Sequence, residues 1–142
     1  MKTVKQVLDA KGHDIWSVTV DDSVFAAIQM MAEKRVGALL VMDDGKPVGV
    51  ISERDYARKV ILQGRSSHET RIKEIMTTEV IYTAPTRSIE ECMALMTEKR
   101  IRHLPVIDGP ELLGIISLGD LVKHLIDDQR FTIEQLERYI SG

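Results

Sequence analysis

The hydrophobic residues of the chain recur twice in the same order along the sequence. In each copy a short β-prone segment, WSVTV at residues 16–20 or EVIYT at residues 79–83, precedes a stretch with apolar residues at i, i+3, i+4 and i+7. This spacing is typical of a helix with one buried face. The apolar residues are Val24, Ala27, Ile28 and Met31 in the first copy and Ile89, Cys92, Met93 and Met96 in the second.

Each predicted helix is followed by two apolar runs that a turn sequence joins. The turns are DDGK at residues 43–46 and DGPE at residues 108–111, and such turns predict β-hairpins. Pro47 and Pro105 have no backbone N–H to donate, so we expect both at sheet edges or irregular points. A second amphipathic helix closes each copy, with the apolar residues Tyr56, Ala57, Val60 and Ile61, and Leu121, Val122, Leu125 and Ile126.

The repeat extends to single residues. With a shift of 65 positions Gly49 falls on Gly114, and with a shift of 68 positions VKQVL at residues 4–8 matches IKEIM at residues 72–76. Such self-similarity indicates two copies of one supersecondary unit. A unit of roughly 60 residues with one-sided helices cannot easily bury its own apolar surface. We therefore expect an α+β fold in which two pseudo-symmetric motifs, at residues 1–65 and 66–128, pack sheet to sheet as one module.

Two segments lie outside the regular pattern of the motifs. The polar, glycine-containing segment at residues 63–70 is the expected connector. FTIEQLERYI predicts an appended C-terminal helix within residues 129–142, and Thr132 with Gln135 fits a capping box at its start.

The composition is that of a globular protein in a reducing compartment. Hydrophobic residues make up 44% of the 142 residues and charged residues 29%. A net charge of −3 and an aromatic content of 4% argue against a nucleic-acid partner. Cys92 is the only cysteine, which excludes a disulfide framework within the chain. No signal-peptide core is visible and no apolar run approaches the roughly 18 residues of a membrane span, so we expect a soluble, cytoplasmic protein without a membrane partner.

A strand followed at once by Ser-x-x-Asp occurs in both copies, as GVISERD at residues 49–55 and GIISLGD at residues 114–120. One interpretation is helix capping, in which the serine accepts a hydrogen bond from an unpaired N–H and the acid favours the helix N-terminus. Against it, the reciprocal capping box prefers the longer Glu or Gln. The other interpretation is ligand binding, because a carboxylate at a helix N-terminus can accept two hydrogen bonds from the diol of a ribose. Both interpretations stay open at this point.

RIRHLPVID, GIISLGD and the 65-residue tandem resemble a pair of CBS motifs, the cystathionine-β-synthase-type regulatory module also called a Bateman module. The resemblance covers roughly residues 4–126 and leaves the last helix outside. It implies two β-α-β-β-α motifs with an adenine nucleotide ligand (AMP, ADP, ATP or NAD) or S-adenosylmethionine in clefts between them. It also implies signal transduction to a downstream protein, which the sequence does not name.

The resemblance assigns roles to individual residues. The ribose-binding residues are Ser52, Asp55, Ser117 and Asp120. The adenine pocket is formed by Val18, Thr19, Ile81 and Thr83. The phosphate contacts are Arg54, Arg102 and His103.

The two copies differ where phosphate contacts are expected. The first has Gly37 and Ala38 where the second has Arg102 and His103, and Gly119 stands where the first has Arg54. The resemblance therefore implies two clefts of unequal charge. A histidine with an ordinary pKa of about 6.5 would make a phosphate contact of His103 sensitive to pH. Arg58 and Lys59 fit a solvated helix face as well as a phosphate contact.

We find no catalytic motif and no metal-binding motif in the sequence. It has no Walker loop and no G-x-G-x-x-G, G-x-S-x-G or H-E-x-x-H pattern, and its histidines share no metal-ligand spacing. We therefore expect no enzyme, no catalytic residue and no metal ion. The helices that carry Met30 and Leu95 leave apolar surface uncovered, and the resemblance implies a homodimer through these helices. The alternative function is a dimerising scaffold that binds no ligand.

Overall fold

Each copy of the repeat forms a helix, a β-hairpin and a second helix. The computed structural model describes residues 2–141, and these form two small sheets with surrounding helices. This architecture confirms the predicted α+β fold class. The elements are α1 (Val4–Lys11), β1 (Ser17–Thr19), α2 (Val24–Lys34), β2 (Ala38–Asp43), β3 (Lys46–Ser52), α3 (Glu53–Tyr56), α4 (Ile89–Lys99), β4 (His103–Asp108), β5 (Glu111–Ser117) and α5 (Leu118–Ser141). A π-helical turn at Ala57–Ile61 extends α3, and a 3₁₀ turn occupies Ile72–Glu74.

The chain divides into two units that differ from the two consecutive motifs of the repeat. The first-repeat unit is Ile15–Val80, and the second-repeat unit combines residues 2–14 with residues 81–141. Helix α1 belongs to the second-repeat unit, and the 3₁₀ turn belongs to the first-repeat unit. The short segment that precedes each motif in the sequence therefore packs into the unit of the other motif.

Strands β1, β2 and β3 form the sheet of the first-repeat unit. β1 runs parallel to β2, and β2 runs antiparallel to β3. The hairpin turn places Asp44 at φ 51° and Gly45 at φ 76°, both in the left-handed region that a type I′ turn requires. The core of this unit consists of Val18, Val24, Ala27, Met31, Leu39, Val41, Ile51, Val60, Ile72 and Ile75.

Strands β4 and β5 form the two-stranded sheet of the second-repeat unit. The strand predicted at residues 79–83 is reduced to one parallel bridge between Thr83 and Val106. It extends no further towards residue 79 because Pro105 has no N–H to donate to the carbonyl of Ile81 in the next rung. Ser88 and Glu91 form a capping box at the start of α4, with the Glu91 N–H donating to Ser88 Oγ at 3.1 Å. The core consists of Val4, Val7, Leu8, Ile89, Cys92, Met96, Leu104, Val106, Ile116 and Leu121.

Gly49 and Gly114, the paired glycines of the repeat, each allow a neighbouring segment to approach a strand closely. The segment after the 3₁₀ turn approaches β3 at Gly49, and α1 approaches β5 at Gly114. A Cβ atom on Gly49 would lie 2.8 Å from the carbonyl oxygen of Thr77, and one on Gly114 would lie 2.9 Å from Leu8 Cδ2. Because any larger residue would push these groups away, the glycines serve the packing inside each unit.

The second helices of the two copies differ in length. α3 has four residues before the π-helical turn, in which Val60 is buried and Ile61 is 56% exposed, whereas α5 continues for 24 residues. Residues 129–141 are helical as predicted, but they continue α5 and start no separate helix; Gly142 lies outside the described residues.

The predicted capping box of Thr132 and Gln135 is wrong. Thr132 Oγ1 donates to the carbonyl of Asp128 at 3.0 Å inside the helix, a bond that a serine or threonine commonly makes one turn back. Within residues 2–141, no helix combines the length and the apolar character that crossing a membrane requires.

Candidate functional site

The Ser117–Asp120 junction joins β5 to α5 in the second-repeat unit. Ser117 Oγ accepts a hydrogen bond from the Asp120 N–H at 3.1 Å, and Asp120 Oδ2 accepts one from the Ser117 N–H at 2.8 Å. The Leu118 N–H donates to the carbonyl of Arg102 at 2.8 Å. These bonds satisfy N–H groups that a helix start leaves unpaired.

Lys11, the last residue of α1, reaches this junction from 109 positions away in the sequence. Its Nζ lies 2.7 Å from Asp120 Oδ2 and donates to the carbonyl of Ile115 at 2.8 Å. Within residues 2–141 every hydrogen bond to the Asp120 carboxylate ends on Oδ2 and none on Oδ1. In the described chain, every buried side-chain oxygen has a hydrogen-bond partner. Because Asp120 Oδ1 has none, it must be exposed to solvent. One oxygen is held in place and the other is accessible.

The charge of Asp120 follows from opposing effects. Partial burial acts to raise the pKa of the carboxyl, but the hydrogen bonds from Lys11 and from the Ser117 N–H outweigh it and lower the pKa below its ordinary value. Asp120 is therefore ionised at neutral pH and can act only as a hydrogen-bond acceptor.

The Ser52–Asp55 junction joins β3 to α3 in the first-repeat unit and has the same cap. The Asp55 N–H donates to Ser52 Oγ at 3.2 Å, and the Ser52 N–H donates to Asp55 Oδ2 at 3.0 Å. Asp55 Oδ1 lies 3.2 Å from Lys59 Nζ and accepts a bond from Thr77 Oγ1 at 3.5 Å. Both oxygens are engaged, and the side chain is 13% exposed, against 25% for Asp120.

The capping interpretation of Ser-x-x-Asp is thus confirmed in both copies. The short Asp side chain closes the reciprocal box, although Glu or Gln is the preferred residue. Capping does not exclude ligand binding at Asp120, because the cap uses only Oδ2.

His103 opens β4 and stands half-buried in the same charged environment. Burial lowers the pKa of its imidazole to about 4; the positive charges of Lys11 and Arg102 act in the same direction, and Asp120 opposes them. His103 is therefore neutral at pH 7. The expectation that its titration near pH ~6.5 would control a phosphate contact is wrong, since the imidazole titrates at lower pH. Arg102 itself is exposed.

Two cations stand near the first-repeat junction. Arg54 is half-buried within α3. Lys59 pairs with Asp55 and donates to the carbonyl of Ile75 at 2.9 Å. Lys59 is exposed, as a solvated helix face predicts, and its ammonium group also holds Asp55.

The four residues assigned to the adenine pocket have different environments. Val18 is 5% exposed in the first-repeat core, while Thr19 beside it is exposed. Ile81 is partly buried against the second-repeat core, and Thr83 is 7% exposed, with its Oγ1 3.2 Å from Cys92 Sγ. The side chains of Val18 and Thr83 therefore point into the cores of their units, and only Thr19 and Ile81 keep accessible side-chain surface.

The sequence interpretation missed Lys11 and Thr77. Lys59 had a local signal, because it lies one helical turn from Asp55. Lys11 had none, since only the packing of α1 into the second-repeat unit brings it to Asp120.

Comparison with known proteins identifies the family. The sequence model of the CBS domain matches residues 4–61 and, a second time, residues 72–127. The chain belongs to the CBS-domain family. The resemblance seen in the sequence is thereby confirmed, and CBS-domain pairs are in general regulatory modules.

The relatives span most of the chain. The mitochondrial CBS domain-containing protein CBSX3 of Arabidopsis thaliana is 39% identical over 150 residues, which cover 99% of this chain and 72% of that protein. A solved CBS-domain protein of Burkholderia ambifaria is 57% identical with a TM-score of 0.87, and the match covers 90% of this chain and 96% of the other.

Two more distant structures have named ligands or assemblies. The CBS domain pair of protein MJ0100, solved with 5′-methylthioadenosine and S-adenosyl-L-methionine, shares the fold at 24% identity and a TM-score of 0.77, over 91% of this chain and 98% of that one. The hexameric CBS-CP12 protein of bloom-forming cyanobacteria is 28% identical with a TM-score of 0.77, over 86% of this chain and 70% of that one. Of these two proteins, one was therefore solved with adenosine-containing ligands and the other is hexameric.

Proposed function

We propose that this chain is a regulatory module that binds an adenine nucleotide at its Ser-x-x-Asp junctions and signals to a downstream protein. The observation that carries the proposal is the Asp120 carboxylate, in which Oδ2 is fixed by the cap and by Lys11 while Oδ1 is accessible. An ionised acceptor with a fixed orientation suits the 2′- and 3′-hydroxyls of a ribose, because hydrogen bonds to a charged group are stronger than neutral ones.

Positive charge for a phosphate lies close to the same carboxylate. Lys11 is in contact with Asp120, Arg102 is exposed just before β4, and the start of α5 adds the partial positive charge of a helix N-terminus. His103, being neutral, would contribute one hydrogen bond and no charge. These groups favour AMP, ADP, ATP or NAD over adenosine alone.

The Asp55 junction is the weaker site in this proposal. A ribose there would have to displace Lys59 or Thr77 from Asp55 Oδ1, and the carboxylate is less exposed than that of Asp120. Ser52 and Arg54 remain the proposed sugar and phosphate contacts of that junction. We expect the Asp120 junction, with Ser117, to be occupied first.

Adenosine is the part of the ligand that we propose to be recognised. The two ligands of the MJ0100 pair both contain it, which makes adenosine compounds the first probes to use. Of the residues assigned to the adenine pocket, Thr19 and Ile81 remain proposals for side-chain contacts. Val18 and Thr83 could contribute backbone atoms only.

We also propose a homodimer through the motif helices α2 and α4, which carry Met30 and Leu95. A groove of about 550 Å³ runs beside α4, and Leu95, Tyr82 and Ile107 contribute to its lining. A second copy would bury such apolar surface, and the hexameric CBS-CP12 protein shows that assembly occurs among relatives. We further propose a cytoplasmic location and no catalytic activity.

Isothermal titration calorimetry of the full chain with AMP, ADP, ATP, NAD and S-adenosylmethionine tests the nucleotide proposal. We expect saturable binding of at least one of them, with a matching rise in melting temperature. No heat and no thermal shift with any of the five at millimolar concentration would reject the proposal.

The alternative is a dimerising scaffold without a ligand. It is favoured by the capping bonds, which already give both Ser-x-x-Asp motifs a structural purpose. A scaffold would show a stable dimer in sedimentation velocity and no response to any of the five ligands in calorimetry or melting.

A further inference from the structure

Helix α5 passes through two environments. Its first half is seated on the second-repeat unit, where Leu121 is buried and Lys2 Nζ lies 3.0 Å from Asp128. Every residue from 129 to 140 is exposed. The exposed residues include large apolar ones: Phe131 at 63%, Ile133 at 54%, Leu136 at 56%, Tyr139 at 87% and Ile140 at 82%.

A regular apolar seam runs along α5 from the seated half into the exposed half. Its positions are Val122, Ile126, Gln129, Ile133, Leu136 and Ile140, which are separated by four, three, four, three and four residues. This alternation is the a/d repeat of a two-stranded coiled coil, with Gln129 as its one polar position. A single polar residue in such a seam commonly fixes the register between the two helices.

The exposed half needs a partner to be stable. A helical segment of about 12 residues is marginal in water when nothing packs on it, even with favourable residues. A membrane surface does not fit, because Glu134 and Glu137 balance Arg130 and Arg138 in this half and leave no net positive charge, whereas amphipathic membrane helices are rich in basic residues.

We propose that α5 pairs antiparallel with the α5 of a second copy of this chain. In the register that aligns the seams, Ile126 packs against Leu136 of the second copy, and Val122 packs against Ile140. Gln129 and Ile133 occupy the central layers. Because the two helices are related by a twofold axis, each of these contacts occurs twice.

Charge complementarity selects the antiparallel direction. The positions beside the seam that face each other in an antiparallel pair are Lys123, Arg130 and Glu137. In the proposed register Lys123 meets Glu137 of the second copy twice, and the unfavourable meeting of two Arg130 side chains occurs once. A parallel pair would place Leu125 beside Arg130 and Thr132 beside Glu137, with no pair of opposite charges.

This surface is separate from the proposed nucleotide sites and from the motif helices. The CBS-domain match ends at residue 127, so most of the seam lies beyond the family's conserved pattern. The seam spans 19 residues, or roughly 28 Å of helix at about 1.5 Å per residue. Pairing at α5 would join two chains, or two dimers if the motif helices also pair.

Sedimentation velocity of the full chain, without nucleotide, tests whether the seam pairs. Ile133→Asp or Leu136→Asp would bury a charge between the two helices. We expect the association constant at α5 to fall at least about tenfold. At concentrations where the natural chain is paired, the measured mass of each variant should be half as large. Phe131→Asp is the matched control, since Phe131 is equally exposed but faces away from the seam. Masses for the two seam variants equal to that of the natural chain would overturn the proposal, as would the same loss in Phe131→Asp.

Disulfide trapping tests the direction and the partner. An equimolar mixture of Ile126→Cys and Leu136→Cys chains should form a mixed disulfide dimer, whereas each variant alone should not, because the matching positions lie about ten residues apart along the antiparallel pair. Cys92 is 1% exposed and stays unreactive in both. Disulfide dimers of each variant alone, and no mixed disulfide in the mixture, would show a parallel pair and contradict the proposal. No disulfide in any sample would also contradict the proposal.

Discussion

The Asp55 and Asp120 junctions have the same four-residue signature and the same cap, but their carboxylates have different surroundings. In the first-repeat unit Lys59 and Thr77 occupy Oδ1 of Asp55 while the cap occupies Oδ2. In the second-repeat unit Lys11 and the cap share Oδ2 of Asp120, and Oδ1 remains accessible. The comparison shows that the local signature determines the cap, whereas residues distant in sequence determine whether an oxygen is left for a ligand.

The lysines that contact the two carboxylates also differ in how far away in the sequence they lie. Lys59 comes from the helix that Asp55 itself begins, whereas Lys11 comes from α1, which packs into the unit of the other repeat. Around Lys11 the second-repeat unit also carries Arg102 and His103, where the first repeat has Gly37 and Ala38. Each junction thus has two cations, but they come from different elements: Arg54 and Lys59 at the first, Lys11 and Arg102 at the second. Four predictions test how the two junctions differ.

The largest expected effect concerns His103, whose counterpart in the first repeat, Ala38, cannot titrate. Burial lowers the pKa of His103 to about 4 in the folded chain, so the unfolded chain binds more protons between that pH and about 6.5. The resulting stability is fully present above pH ~6.5 and is lost as the pH falls towards 4. Urea unfolding from pH 7 to pH 4 should show a loss of roughly 3 kcal/mol that His103→Gln removes. Parallel pH profiles for the two proteins would contradict a neutral, half-buried imidazole.

The second prediction compares the two carboxylates directly. Asp120→Ala should weaken AMP binding by about tenfold to a hundredfold, because it removes hydrogen bonds to a charged group worth about 1.5–3 kcal/mol. Asp55→Ala should weaken it by less than about threefold. Calorimetry measures both, and melting curves control for the lost caps, which should cost each variant about 1 kcal/mol. A larger loss for Asp55→Ala would reverse the proposed order of the sites.

The third prediction concerns the cations at the two junctions. Arg102→Ala should weaken AMP binding by about tenfold and leave adenosine binding unchanged. The variant loses a phosphate contact, and only AMP has a phosphate. Arg54→Ala serves as the matched control in the first repeat and should change neither affinity appreciably. Equal losses for AMP and adenosine in Arg102→Ala would show that Arg102 contacts no phosphate.

The smallest expected effect compares the two lysines. Lys11→Met should lower the free energy of unfolding by about 1 kcal/mol and Lys59→Met by about 0.5 kcal/mol, because the Lys11 pair is shorter and less exposed. Lys11→Met should also raise the pKa of Asp120, which an NMR titration of its carboxyl carbon measures. If that pKa does not change, Lys11 does not hold the carboxylate.

Much of the fold was predictable because local sequence patterns determine it. The helix stripes that include Val24 and Ile89 are buried, the DDGK turn forms a hairpin, and Ser88 with Glu91 caps α4. The exchange of α1 and the 3₁₀ turn between units was not predictable, since the periodicity of an amphipathic segment says that one face is buried but not against what. The uninterrupted course of α5 was missed because a Thr132–Gln135 pattern fits a helix start and a helix interior equally well.

The candidate site was predictable in its cap and only partly in its charge. The doubled Ser-x-x-Asp placed Asp55 and Asp120 correctly at helix starts, because that motif acts over four residues. The pKa of His103 and the contact of Lys11 depend on burial and on long-range packing, which a single sequence does not contain.

The central claim is that Asp120 binds the ribose diol, and a comparison of AMP with 2′-deoxy-AMP tests it most directly. Calorimetry should show that the natural chain and Asp55→Ala both prefer AMP by about tenfold, the value of one hydrogen bond to a charged acceptor. Asp120→Ala should bind both ligands with equal affinity. The claim is contradicted if Asp120→Ala keeps the preference for AMP, or if the natural chain has none.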